Sequence, residues 1–159
     1  MSNFVTKFIK EIEDILHCKV KLLYFSHSSN KMICVPTKYF HDKIHSLSQT
    51  KATMFKLCVD DDNFSIASWN LQEMPHCCGI AIMSELYVYN QYRNKKIGTI
   101  INKFACKFVS KLNYKVLFGT KYAAFKNTGS NDPSKICDKI LKKNNWKDCR
   151  WMSQIGNNK

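Results

Sequence analysis

Arg93-Asn94-Lys95-Lys96-Ile97-Gly98-Thr99 joins two segments of opposite periodicity. Residues 79–89, GIAIMSELYVY, alternate as a strand: Ile80, Ile82, Ser84, Leu86 and Val88 fall on one face, and Ala81, Met83, Glu85, Tyr87 and Tyr89 on the other. After the basic run, Ile97, Ile100, Ile101, Phe104, Ala105, Phe108, Val109 and Leu112 repeat at helical spacing. Asn102, Lys103, Lys107 and Lys111 are expected to face water. A strand, a turn and a helix are therefore predicted, with the first turn of the helix formed by Ile97, Gly98 and Thr99. The backbone N–H groups of a first turn have no partner within the helix, and the helix dipole adds positive potential there. With Arg93, Lys95 and Lys96 in the approaching loop, the segment is an anion cradle suited to a phosphate-bearing cofactor.

Working outward, Thr53 to Val59 and Phe64 to Leu71 read as two strands, joined by Asp60-Asp61-Asp62-Asn63 as turn chemistry. Tyr114 to Thr120 is a further strand. A Gly, Asn, Ser and Pro-rich loop then ends at Pro133 and Ser134, where a helix through Lys143 is expected to start. Toward the N-terminus, Phe4, Val5, Phe8, Ile9, Ile12, Ile15 and Leu16 interleave with charged residues as an amphipathic helix. That pattern is not the unbroken apolar run of a signal peptide. Residues 20–35 suggest one or two short strands, and residues 37–47 a helix.

Strand, then Tyr92 to Thr99, then amphipathic helix resembles the acetyl-CoA-binding motif of the GNAT superfamily of N-acetyltransferases, Gln/Arg-x-x-Gly-x-Gly/Ala. Arg93 and Gly98 fit that pattern, and Lys96 stands where the first glycine is usual. The resemblance extends over most of the chain after about residue 52. It implies an α/β, single-domain GNAT-like fold over residues 1–159, with a central mixed, mostly antiparallel sheet flanked by helices. Residues 1–51 would supply the variable N-terminal helix and acceptor-side elements, and residues 52–159 the hairpin, the cofactor motif and the C-terminal half. It further implies acetyl-CoA as co-substrate, with Arg93, Asn94, Lys95, Lys96, Ile97, Gly98 and Thr99 on the pyrophosphate and Leu86, Tyr87 and Val88 along the pantetheine.

In that chemistry a neutral primary amine attacks a thioester carbonyl, so a base or water relay takes a proton and a dipole steadies the oxyanion. Glu85 is the candidate base; the competing reading is a solvent-facing strand residue or a partner for a nearby lysine. The late segment KILKKNNWKD resembles the family's Tyr-Glu-Lys-x-Gly-Phe, but Leu141 stands at the tyrosine that often protonates the CoA thiolate, Asn145 at the glycine and Trp146 at the phenylalanine. The general acid is then Tyr122, Cys137 or water, and Tyr122 is the candidate retained.

The 159 residues carry a net charge of +13. Residues 1–85 are neutral, nine lysines against nine acids, whereas residues 86–159 hold 16 Lys and Arg against Asp132, Asp138 and Asp148. The excess surpasses what one CoA requires and suggests an anionic acceptor, an acidic partner or nucleic acid. Heavy Lys, Asn and Ile usage also follows from an AT-rich genome, which explains the lysines better than their segregation. The helix and its exit look like amino-sugar-phosphate acetyltransferases of the superfamily, whose acceptor, such as glucosamine 6-phosphate, is anionic. Protein lysines or N-termini and aminoacyl-tRNA are the competing acceptors, and an inactive basic module binding nucleic acid or an acidic protein is the competing class.

The eight cysteines form no C-x-x-C pair, so reduced, mostly buried thiols and no metal are expected. His76-Cys77-Cys78 and His17-Cys18 are poor zinc spacings. Trp69, Tyr87, Tyr89, Tyr92 and Phe104 interleave with basic residues as a single-strand RNA platform does, but their period assigns most of them to core or cofactor packing. No membrane span is legible, and a cytoplasmic protein is expected. Family members are often dimers; no interface is specified by the sequence.

Overall fold

The computed structural model describes residues 4–35, 44, 46–77 and 79–119. It is a mixed α/β structure: α1 (Phe4–Leu16), β1 (Val20–Ser26), β2 (Lys31–Cys34), β3 (Thr53–Val59), β4 (Ser65–Glu73), β5 (Ile80–Val88), a 3-10 turn (Asn90–Tyr92), α2 (Ile97–Lys111) and β6 (Val116–Gly119). The six strands form one sheet in the order β2-β1-β3-β4-β5-β6. Every pairing is antiparallel except β5 with β6. A parallel neighbour requires a crossover, and α2 is that crossover.

One face of the sheet is apolar because alternate residues of adjacent strands coincide across the ladder: Tyr24 pairs with Phe55 and Phe55 with Trp69, while Leu22 pairs with Leu57 and Leu57 with Ala67. Both described helices cover this face. Phe8 stacks on Phe104 at 4.2 Å between ring centroids, and both meet Trp69 edge-on. Phe55 lies parallel to Trp69 and edge-on to Phe108. The predicted N-terminal helix, the hairpin expected over residues 53–71, the crossover helix and the strand after it are all present, and the 20–35 segment forms two strands. The segment 37–47 lies largely outside the described residues, as do the helix through Lys143, Tyr122, Cys137, Leu141, Asn145 and Trp146.

Two face assignments differ from the sequence reading. Asn102, expected in water, is 2% exposed, and its side-chain amide donates to the Gly98 carbonyl one turn back at 3.0 Å. It belongs to the stripe through Gly98, Ala105 and Val109, which broadens the buried face of α2 beyond its hydrophobic residues. In β5, buried Ala81 and Met83 point inward, but farther along it is Leu86 and Val88 that pack on the core, while Glu85 and Tyr87 are exposed. No single alternation spans this strand. A one-residue insertion reverses its phase midway, as the register with β4 shows.

Candidate active site

Ala67 pairs with Val88 and Ser68 with Tyr87, but Asn70 pairs with Ser84 and Leu71 with Met83. Glu85 and Leu86 therefore both stand opposite Trp69, a β-bulge that leaves the extra residue outside the ladder and bends the strand. Glu85, the first residue of the bulge, takes the left-handed conformation, φ 54°, that one type of bulge uses and that glycine adopts most readily. On its other edge β5 pairs with β6 from Ile80 to Met83, opposite Val116 to Gly119. Past the bulge, toward its carboxyl end, β5 resumes its pairing with β4 at Tyr87 and Val88. Open parallel sheets receive ligands at this end of their strands.

The Glu85 side chain is exposed and accepts a 2.7 Å hydrogen bond from the Asn70 amide on β4. That contact aims the carboxylate across the sheet face away from the helices and leaves one oxygen available. No lysine pairs with it among the described residues. Tyr87 and Tyr89, which the strand period puts on the face of Glu85, are each 41% exposed, and their rings meet edge-on at 5.0 Å. Trp69 and Phe104 are core, as expected.

Downstream, the Tyr89–Arg93 turn brings the chain round to α2. The Arg93 Nε donates to the Val88 carbonyl at 2.7 Å and the guanidinium lies 5.1 Å over the Tyr87 ring. One of its five N–H groups is thereby used; the side chain is otherwise at the surface, with donors for an anion. Asn94 and Lys96 both have positive φ, 63° and 64°. Lys96 is the N-cap of α2 and supplies no side-chain cap; the first turn has no acid, and the first helical bond runs from Ile100 N to Lys96 O. The N–H groups of Ile97 and Gly98 thus have no partner within the helix. Lys95 and Lys96 are exposed and Gly98 is buried.

Eight non-glycine residues among those described have positive φ, and six are Asn or His, which tolerate it in turns. The two exceptions are Glu85 and Lys96. The structure therefore places its two costly backbone conformations at the bulge and at the helix entry, the two ends of the arm formed by the second half of β5 and the basic turn. Local strain of this kind concentrates where geometry serves a ligand. The donor set, an uncapped helix N-terminus with two exposed lysines and an arginine, fits a diphosphate, and the bulged strand end fits a short extended chain lying alongside.

Among the described residues no group of three or more His, Cys, Asp or Glu is arranged to hold a metal. Of the five cysteines among the described residues, Cys58 alone is fully buried, Cys34 is exposed and the others are half-buried, so burial is less general than the composition suggests. Burial pushes the Cys58 thiol above its ordinary pKa, with Lys56, Lys21 and a Ser65 hydrogen bond opposing. No described helix is long and apolar enough to cross a membrane.

No protein-family model matches the chain, and no curated protein matches it in sequence. Among solved structures it is similar to YycN of Bacillus subtilis, a candidate acetyltransferase, at 11% identity and a TM-score of 0.48, over 61% of this chain and 56% of that one. The chain thus spans little more than half the length of YycN. A second candidate acetyltransferase aligns at 7% identity and a TM-score of 0.48, over 91% of this chain and 83% of that one. An aminoglycoside acetyltransferase from an uncultured soil metagenomic sample, solved with trehalose, aligns at 16% identity and a TM-score of 0.40, over 77% and 71%.

Proposed function

We propose that the protein is a GNAT-type N-acetyltransferase that moves an acetyl group from acetyl-CoA to a primary amine. The observation that carries this reading is the strained arm itself: a bulge at Glu85 toward the carboxyl end of β5, and a lysine-rich helix entry at Lys96 that has no side-chain cap. The thioester supplies the activated acetyl group. Ile97 and Gly98 N–H groups with Lys95 and Lys96 hold the diphosphate, and Arg93 supports it from the rim. The strand end at Leu86 to Val88 aligns the pantetheine, and an N–H released by the bulge faces the thioester oxygen. Glu85, oriented by Asn70, takes the proton released when the amine nitrogen bonds to the carbonyl carbon. The C–S bond then breaks and the thiolate is protonated, with Tyr122 the residue proposed for that step. The surplus positive charge favours an anionic acceptor, an amino-sugar phosphate first, with protein amines and aminoacyl-tRNA next.

Calorimetric titration of acetyl-CoA and CoA tests the reading. Gly98→Trp fills the first turn, but Gly98 is buried, so its effect is read only if circular dichroism is unchanged. Lys95→Glu and Lys96→Glu change exposed side chains, and each is expected to weaken binding by about tenfold at low salt. Glu85→Gln is expected to keep cofactor affinity and lower turnover by about 10²-fold or more. Absence of CoA binding to the folded protein refutes the proposal; full turnover by Glu85→Gln removes only the base assignment.

A further inference from the structure

Beside the arm, on the sheet face away from the helices, lies a depression of about 440 Å³ lined by the aromatic Phe64, Tyr87 and Tyr89 and the polar Asn63, Ser65, Asn90 and Gln91. Its aromatic side chains are not core: Phe64 is 62% exposed, and Tyr87 and Tyr89 stand out as described above. Exposing three aromatic rings together is unfavourable unless something covers them. Three further features say what. The Tyr87 ring already carries the Arg93 guanidinium, which puts a forked cation at the rim. The remaining lining is carboxamide and hydroxyl, Asn63, Asn90, Gln91 and Ser65, groups that donate and accept hydrogen bonds in one plane as base edges do. Along the chain Arg93 is followed by exposed Lys95 and Lys96, at the start of the half that carries the whole net charge.

Rings to stack on, amides to read edges and cations along one side are the elements of a single-strand nucleic-acid site. We propose that this depression binds a short single-stranded segment of nucleic acid, its bases against Phe64 and Tyr89 and its phosphates along Arg93, Lys95 and Lys96. Asp60, Asp61 and Asp62, in the turn that ends at Asn63, set its direction: they repel phosphates at that end, so the backbone runs toward α2. Phe64 and Tyr89 lie outside the residues assigned to CoA, whereas Arg93, Lys95 and Lys96 are shared with the proposed diphosphate site, so the two ligands are expected to compete for those cations.

The test is fluorescence anisotropy of the full chain with a fluorescein-labelled oligo(dT) 12-mer, alongside an abasic 12-mer of equal charge, over a salt series. Oligo(dT) is expected to bind more tightly than the abasic strand. Phe64→Ala and Tyr89→Ala, both at exposed positions, are each expected to weaken it by about tenfold. Their salt dependence should stay that of the parent protein, because no phosphate contact is removed. Absence of binding overturns the proposal. So does equal affinity for the abasic strand with indifference to both substitutions, which would mean charge alone. A loss of CoA affinity in Phe64→Ala with oligo(dT) binding intact also overturns it, by assigning the depression to the cofactor's adenine.

Discussion

Lys96 and Glu85 each hold a conformation that costs an L-residue with a Cβ about 1–2 kcal/mol relative to glycine. At Lys96 the usual glycine of the resembled motif has a physical reason: the chain must pass through the left-handed region to start α2. Lysine keeps the turn and adds a charge, at the expense of strain. Glycine at either position is therefore expected to leave thermal stability unchanged or slightly higher, the relief of strain being offset by a freer unfolded chain. Valine at either, β-branched and intolerant of positive φ, is expected to cost about 1–2 kcal/mol more, read as a lower denaturation midpoint. Equal stability of the glycine and valine variants would contradict the assigned backbone. Cys58 makes a second claim at this scale. Its raised pKa favours the neutral thiol in the folded state, so its contribution to stability is full below the ordinary thiol value and declines as pH rises past it. In native protein a thiol reagent followed by peptide mapping should label exposed Cys34 well before Cys58.

Elements were legible where one periodicity ran unbroken. α1, β3, β4 and α2 follow from their stripes, and the aromatic residues on them meet as a cluster because Phe4, Phe8, Phe104 and Phe108 recur at helical spacing. Truncating Phe104, which stacks on Phe4, Phe8 and Phe108 and meets Trp69, is expected to cost about 3–5 kcal/mol in urea unfolding. A double-mutant cycle with Phe8→Ala should recover a coupling of about 0.5–1.5 kcal/mol; additive losses would deny the ring contact. The bulge was not legible, because its signal in sequence is usually a glycine and here the residue is Glu85. A period-2 reading carries Leu86 and Val88 to the face of Ile80 and Ile82 when one extra residue turns them inward. Asn102 was misplaced for a related reason: residue polarity was weighed above position, and a carboxamide that bonds the preceding turn can sit inside a helix stripe. The exposed rings of Tyr87 and Tyr89 follow from the same phase reversal. The candidate site was thus legible as a list, Arg93 to Thr99 and Glu85 to Val88. Its three-dimensional logic, strain at both ends of one arm, was not.

At the scale of the molecule, charge and topology converge on one end of the sheet. The Glu85 bulge lies toward the carboxyl end of β5, and the basic turn leads from that end into the N-terminus of α2. Residues 86–159 carry all of the +13, so the basic half begins at the bulge. A polyanionic ligand seated at that end lowers the energy of the folded state alone, because the unfolded chain assembles neither the helix entry nor the bulged strand. Acetyl-CoA at about 100 times its Kd is then expected to stabilise the fold by about 2.7 kcal/mol, and to raise the melting temperature by about 5–10 °C for a chain of this length. Because Arg93, Lys95 and Lys96 are exposed, the affinity behind that shift is screened by salt. Repeated at a fixed acetyl-CoA concentration in about 1 M salt, the shift should shrink by more than half. A shift of undiminished size would place the stabilising contacts in the pantetheine and adenine rather than in the basic turn, and no shift at either ionic strength would leave the strained arm without the ligand its geometry fits.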